Sequence, residues 1–269
     1  MLKIFVCIKQ VPAISEVRID PKTGLLKREG IPGMINPVDK NAIELALNFK
    51  EKFGSIVYIL SMGPPQAEDA LREALAMGAD HAYLLTDKRF AGADTLSTSY
   101  TLGLAIKKVL EEEADKENYL VICGSQTIDG DTAQVGPQLA EELQIPHFTF
   151  IQNAELKDNK IIVEKLIKND LIMKAECKLP VLITITNEIN IPRFATLSGI
   201  VDAFDNKKII VLNADDLNPD LNKIGINGSM TEVWKIFLPE QKGEYIKLSG
   251  TIESVVRELY DKLKEEKVI

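Results

Sequence analysis

The chain has 269 residues, of which 45% are hydrophobic, 27% charged and 6% aromatic, a balance that excludes disordered and collagen-like architectures. Its 32 Lys and Arg against 40 Asp and Glu give a net charge of −8, the wrong sign for a phosphate backbone or an anionic lipid surface, so no nucleic acid is expected as a partner. The length suffices to bury an α/β core without a disulfide or metal staple.

The N-terminal MLKIFVCIKQVP carries an apolar run of only about seven residues, too short for a signal-peptide core or a membrane span, so no membrane insertion is expected. It reads as a first strand. Cys7, Cys123 and Cys177 are far apart, odd in number and flanked by apolar residues, which suits buried thiols in a reducing cytoplasm. His81 and His147 are the only histidines, too few for a zinc cluster or a Ser/His relay.

Runs rich in Val, Ile and Leu recur over residues 2–8, 55–62, 81–86 and 119–124, with helical spacing between them. Strands that are apolar throughout are buried on both faces, so the pattern predicts a Rossmann-like, doubly wound α/β fold with a mostly parallel sheet. The first helix starts at Asn36-Pro37-Val38-Asp39, with Asn36 as cap, Pro37 at the first helical position and Asp39 near the exposed amides. Its body continues through Ile43, Leu47 and Phe49. A second helix runs over Ala67, Leu71, Ala74 and Leu75 to Gly78, and a third from Asp94 to about Glu113.

After Pro146 the pattern changes to consecutive strands with turns at Lys157-Asp158-Asn159 and Lys168-Asn169-Asp170, read as antiparallel additions. Residues 187–206 are polar, carry Pro192 and Gly199, and read as a long loop leaving the compact unit. A strand over 208–212 follows and closes a domain spanning 1–212. Residues 213–269 read as an arm: an Asn/Asp/Gly-rich linker to Met230, a short apolar run over 233–238, and a helix with Ile252, Val255, Val256, Leu259 and Leu263 on one face. That face needs a surface to cover it, either a partner chain or the chain's own domain.

The densest candidate for chemistry is CGSQTIDGDTAQVGPQLAEEL, residues 123–143, which leaves a buried strand, turns at Asp129-Gly130-Asp131 and enters a helix. A strand, a turn and a helix N-terminus together make an anion site, and in doubly wound sheets nucleotides dock outside the carboxyl ends of the strands. The same stretch also reads as an acidic left-handed turn that only connects strand and helix. Cys7-Ile8-Lys9-Gln10-Val11-Pro12, Ser61-Met62-Gly63-Pro64 and Gly92-Ala93-Asp94-Thr95 are strand ends that point at the same crevice. In ADTLSTS, hydroxyls including Thr95 and Thr98 could solvate a pyrophosphate, or serve only as helix caps. Neither GxxxxGK[ST] nor GxGxxG occurs.

CIKQVP, MINPVDKNAIELAL, SMGPPQAEDALREALAMGAD, CGSQTIDGDTAQVGPQLAEEL and PRFATLSGI occur in the order found in the beta (small) subunit of electron-transfer flavoproteins, and the chain resembles that family over nearly its whole length. The resemblance implies a Rossmann-like domain that holds an adenine nucleotide, and a C-terminal arm that packs on an alpha subunit carrying FAD. Nucleotide contacts are implied at Cys7, at Asn36, Pro37, Val38 and Asp39, at Met62, and along Gly124, Ser125, Gln126, Thr127, Ile128, Asp129, Gly130, Asp131, Thr132, Ala133, Gln134 and Val135. PRFATLSGI resembles the loop that docks on partner dehydrogenases, with Leu197 as its apolar anchor and Arg193 and Phe194 beside it in the docking segment.

Simple carriers of this family hold AMP in the crevice, whereas the bifurcating group holds a second FAD that reacts with NADH. DGDTAQVGP resembles the bifurcating pattern: Gly130 and Val135 stand where AMP carriers place an acid and a Thr. The resemblance then implies transfer of electrons from NADH both to the alpha-subunit FAD, and on to a flavin dehydrogenase such as an acyl-CoA or lactate dehydrogenase, and to ferredoxin. No catalytic acid or base and no metal ligand is assigned. Two alternatives stand beside this reading. One is an AMP-binding structural subunit of a non-bifurcating carrier. The other is a stand-alone adenine-nucleotide binding module, against which the first strand lacks a Ser-Gly-rich pyrophosphate loop.

Overall fold

In the computed structural model of the chain, residues 1–13, 18–19, 26–27, 32–111, 116–167, 171–232 and 246–269 are described. They form two compact units, Met1–Glu232 and Val233–Ile269.

The first unit is built on β1 Lys3–Cys7, α1 Pro37–Phe53, β2 Ile56–Met62, α2 Glu68–Met77, β3 His81–Leu85, α3 Thr95–Glu111, β4 Tyr119–Gly124 and α4 Val135–Leu143. Later come β5 His147–Ile151, β6 Asn153–Lys157, β7 Lys160–Leu166, β8 Ile172–Lys178, β9 Val181–Ile185, α5 Leu197–Asp205, β10 Ile209–Leu212 and α6 Ala214–Leu217. Seven strands form one sheet in the order β10-β3-β2-β1-β4-β9-β5, and every neighbouring pair in it is parallel. Alternate residues of β1 explain the unbroken apolar run: Ile4 and Val6 pack with residues of α1 and α2, while Phe5 and Cys7 pack with residues of α3 and α4. Both faces are covered, as continuous apolar strands require.

The stretch after Pro146 departs in part from the expected antiparallel additions. Strands β6, β7 and β8 form a three-stranded antiparallel sheet, turned between β6 and β7 at Asp158 and Asn159, both with positive φ. Strands β5 and β9, by contrast, join the central sheet in parallel. VLITI is buried at all five positions, which only a strand covered on both faces can accommodate. The expected turn at 168–170 and the apolar run over 233–238 lie outside the described residues.

The expected loop over 187–206 is half helix. Thr196 accepts a hydrogen bond from the Gly199 amide and starts α5, which packs against α2. Ile200, Val201, Ala203 and Phe204 at helical spacing were the legible signal, masked by the polar residues around them. Residues 213–232 stay with the first unit: a capping box between Asn213 and Asp216 begins α6, and Ile224 is buried in the core beside α3 residues. In the second unit, Thr251 caps α7 Ile252–Glu265, which leaves Ile252, Val256, Leu259 and Tyr260 exposed. Among the described residues no helix is long and apolar enough to cross a membrane.

Candidate functional site

The sheet order places the first strand at its centre, with β2 and β3 on one side and β4 and β9 on the other. The direction of winding therefore reverses between β1 and β4, and their carboxyl ends open the crevice where doubly wound folds take ligands.

Asp39 occupies that junction. It is buried, 4% exposed, and its carboxylate accepts from the Lys9 amide at 2.8 Å and the Asn36 side-chain amide at 3.0 Å. The Gly124 amide donates to it as well. Burial pushes the acid up to about 7 in spite of these donors. Gly124 is required by this contact, because a Cβ there would stand 2.2 Å from Asp39 Oδ1. Asn36 holds the cap position of α1 but makes no side-chain cap, contrary to the sequence expectation. Its backbone carbonyl oxygen serves the first turn instead, accepting from the Asp39 and Lys40 amides. The side chain is thereby free to donate to Gln126 O at 3.0 Å and to accept from the Ile128 amide at 3.1 Å.

The loop that follows β4 is tied down acid by acid. Lys9 Nζ lies 2.8 and 2.7 Å from the two Asp129 oxygens, and Gln126 donates to Asp131. Burial raises Asp129, but the Lys9 ammonium and the Thr127 hydroxyl outweigh it and hold the carboxyl below its ordinary value. Positive φ falls on Asp131 and Ala133, both at 54°, and not on Gly130. An alanine in that region costs roughly 1–2 kcal/mol, the kind of local strain that gathers at binding loops. Ser125 is buried, its amide donating to Ile185 O at 2.8 Å. Ile128, Thr132 and Gln134 are exposed.

Helix α4 begins at Val135 with no side-chain cap from Gln134, which leaves first-turn amides and the positive end of the helix dipole for an anion. Gly136 lets this turn press onto β9: a Cβ there would stand 2.3 Å from Thr184 Cγ2. Pro137 fits because it lies within the first turn.

On the α3 side the hydroxyl-rich stretch divides. Thr95 Oγ1 donates to Gln134 Oε1 at 3.1 Å and so borders the loop, and Thr98 is partly exposed. Ser97 and Ser99 are buried, and Ser99 binds the backbone oxygens of Thr95 and Val135. Asp94 is a clamp. One oxygen caps α3 through the Leu96 and Ser97 amides, and the other accepts from the Met230 and Thr231 amides and the Thr231 hydroxyl. Burial would raise it, yet these donors keep it below its ordinary value. Its carboxylate is taken up by the protein itself. Met62 closes β2 half-buried, and Cys7 sits directly beside Cys123 in the sheet. The neighbouring Cys7 sulfur and burial push the Cys123 thiol well above its usual range, so it supplies no thiolate nucleophile.

Lys9 was placed at the crevice from sequence, within the end of the first strand, but was given no role of its own. A lone cation at the carboxyl end of a first strand, facing an acidic turn, was the available signal.

Away from the crevice, Phe194 and Leu197 are 95% and 80% exposed. Arg193 is not part of that free surface: its backbone amide and Nε donate to Glu44 at 3.0 and 2.8 Å, with further bonds to Glu51 and Asn48. Asn41 and Asn190 exchange hydrogen bonds beside it.

A wholly parallel seven-stranded sheet, a crevice at its switch point and an uncapped helix start define a doubly wound α/β protein, a class whose ligands dock at that crevice. Comparison with known proteins narrows this class. The family model described as the electron transfer flavoprotein domain matches residues 23–217. The chain is 48% identical over 270 residues to an electron transfer flavoprotein subunit beta of Thermoanaerobacterium thermosaccharolyticum, covering 100% of both. It is 45% identical over 270 residues to the caffeyl-CoA reductase-Etf complex subunit CarD of Acetobacterium woodii, again covering 100% of both. A third relative, the acryloyl-CoA reductase electron transfer subunit gamma of Anaerotignum propionicum, is 40% identical over 274 residues with the same coverage. The chain belongs to the electron transfer flavoprotein family, among its beta subunits, which pair with an alpha subunit.

Proposed function

We propose that this chain is the beta subunit of a bifurcating electron transfer flavoprotein, with FAD in the crevice between β1 and β4 and NADH as the reductant. The observation that carries the reading is the state of the loop over residues 124–135. Both acids of its turn are engaged from the protein side, Asp129 by Lys9 and Asp131 by Gln126, while the α4 amides beyond it have no side-chain cap. The charge of Asp129 is thus offset by Lys9, the Asp131 carboxylate is turned onto the Gln126 amide, and donors that would bind a diphosphate are left open. The donor set fits the group.

Under this reading the α4 amides and the backbone of Gly130 through Val135 hold the diphosphate, with Thr95 and Thr98 beside them. Asn36, Pro37, Val38 and Asp39, together with Cys7, Met62 and residues 124–128, line the remainder. When bound, FAD supplies acceptance of a hydride from NADH and release of its two electrons singly, one to the alpha-subunit FAD and one to ferredoxin. The chain's residues bind and orient, and no side chain is assigned a proton-transfer step. Phe194 and Leu197 are the apolar contacts for a flavin dehydrogenase. The names of the CarD and acryloyl-CoA reductase relatives favour one that acts on a CoA thioester. The exposed face of α7 covers itself on the alpha subunit, and the complex works in the cytoplasm.

The test is nucleotide stoichiometry in the heterodimer co-purified with its alpha subunit. Two FAD per heterodimer and little AMP are expected, followed by reduction with NADH. One FAD and one AMP would overturn the two-flavin reading and make the chain a structural subunit of a simple carrier.

A further inference from the structure

We infer that Lys9 and Asn36 form a strap that holds the nucleotide loop against the end of β1, so that Lys9 acts on nucleotide binding through the loop and not by touching the phosphates. The inference rests on an adenine nucleotide, FAD or AMP, occupying the crevice.

Three attachments lie within a few residues of each other. The Lys9 ammonium meets both oxygens of Asp129 at 2.8 and 2.7 Å. The Asn36 side chain donates to Gln126 O and accepts from the Ile128 amide, gripping the loop two residues apart as a neighbouring strand would. Behind them, the Lys9 amide and the Asn36 amide group both donate to buried Asp39, which joins the two arms of the strap to one anchor. At its other end the loop is fixed by Thr95 to Gln134 and by Ser99 to Val135 O.

Between these fixed ends lie Asp131 and Ala133 with their left-handed backbone. Such a conformation persists only where the surroundings impose it, and the strap is what imposes it from the β1 side. Amides held in place before the ligand arrives avoid the ordering entropy of binding. With Asp129 as its counter-ion, Lys9 is committed to the loop, and the positive field for phosphate comes from the α4 amides.

The test titrates FAD and, separately, AMP into the deflavinated heterodimer for four forms of this chain: wild type, Lys9→Met, Asp129→Asn and the exchanged pair Lys9→Asp with Asp129→Lys. The ion pair is half-exposed, with side chains 46% and 33% accessible, so each single change is expected to raise Kd about three- to fivefold. The exchanged pair is expected to return toward wild type, a recovery that loss of packing at either residue would not give. The difference between wild type and Lys9→Met should shrink in about 1 M salt, where exposed ion pairs are screened. If Asp129→Asn tightens binding while Lys9→Met weakens it, Lys9 is a phosphate ligand released from a competitor, and the strap is overturned. Equal Kd for all four forms overturns it as well. If wild type binds neither nucleotide, the assignment of the crevice itself fails, and this outcome is separable because it does not depend on the variants.

Discussion

Arg193 and Glu44, 149 residues apart in sequence, are joined by the Arg193 backbone amide and its Nε to one carboxylate oxygen, with Nη2 on the other. Glu44 is only 7% exposed, on the helix whose first turn borders the crevice between β1 and β4. The segment leading into α5 is thus bolted to α1, which leaves Phe194 and Leu197 standing free on a fixed base. Breaking this link should loosen the segment without reaching the crevice. Glu44→Ala is expected to lower stability by about 1–3 kcal/mol, since it strands an Arg amide and guanidinium, read as a shifted midpoint in urea with flavin content unchanged.

Leu197→Ala should slow electron transfer to the partner dehydrogenase while leaving stability and bound nucleotide as they were. An exposed leucine contributes little to the folded chain, whereas an apolar anchor in a partner pocket contributes about 2 kcal/mol or more. Stopped-flow oxidation by the dehydrogenase as its concentration is varied reads the effect as a weaker apparent affinity. Loss of flavin in the variant would remove the docking role.

Gly124→Ala introduces a methyl group where only 2.2 Å separates it from Asp39 Oδ1. The strand end or the first turn of α1 must shift, and the same carboxylate anchors Lys9 and Asn36. The cost is expected at about 1–3 kcal/mol of stability, with reduced nucleotide retention through gel filtration. A variant that kept both unchanged would show that the junction yields easily.

Asp39 predicts a pH dependence. Its carboxyl stands at about 7 in the fold against an ordinary 3.8, so the folded state favours the proton. That contribution is complete below about pH 4 and is lost as the pH rises through about 7. Asp39→Asn removes the titration, and its amide nitrogen faces donors where an oxygen stood, so the variant is less stable throughout. The stability advantage of wild type over Asp39→Asn, from urea midpoints without nucleotide, should therefore decline between about pH 4 and about pH 7 and level off above. An advantage that stayed level over this range would mean that the carboxylate is held ionised by its three donors.

The architecture was legible because it follows from periodicity. Runs such as KIFVC and YLVICG cannot be half-solvated, and apolar spacing between them makes helices, so parallel winding follows from the chain itself, whereas VLITI, read as an antiparallel addition, joins the sheet in parallel. The strand ends at Cys7, Met62 and Gly124 were legible for the same reason, since a doubly wound sheet sends them to one edge. The helix α5 was hidden because its start depends on a threonine cap amid polar residues, and its stability on docking against α2. The engagement of Asp94 and Arg193 was hidden for a related reason. A carboxylate or guanidinium in a promising stretch reads as available, but its partners, Met230 and Thr231 for one and Glu44 for the other, lie more than a hundred residues away.

The sequence by itself determined which segments are buried, the order in which they alternate, and hence the location of the crevice, because local spacing and apolarity are properties of neighbours along the chain. Only the tertiary structure decided which polar groups face the crevice free and which are already satisfied. Lys9 against Asp129, Asn36 turned from its cap to the loop, and Asp39 lifted toward neutrality by burial are all set by residues distant in sequence. Hydrogen bonding and desolvation act between groups that are near in space, and no local pattern records them.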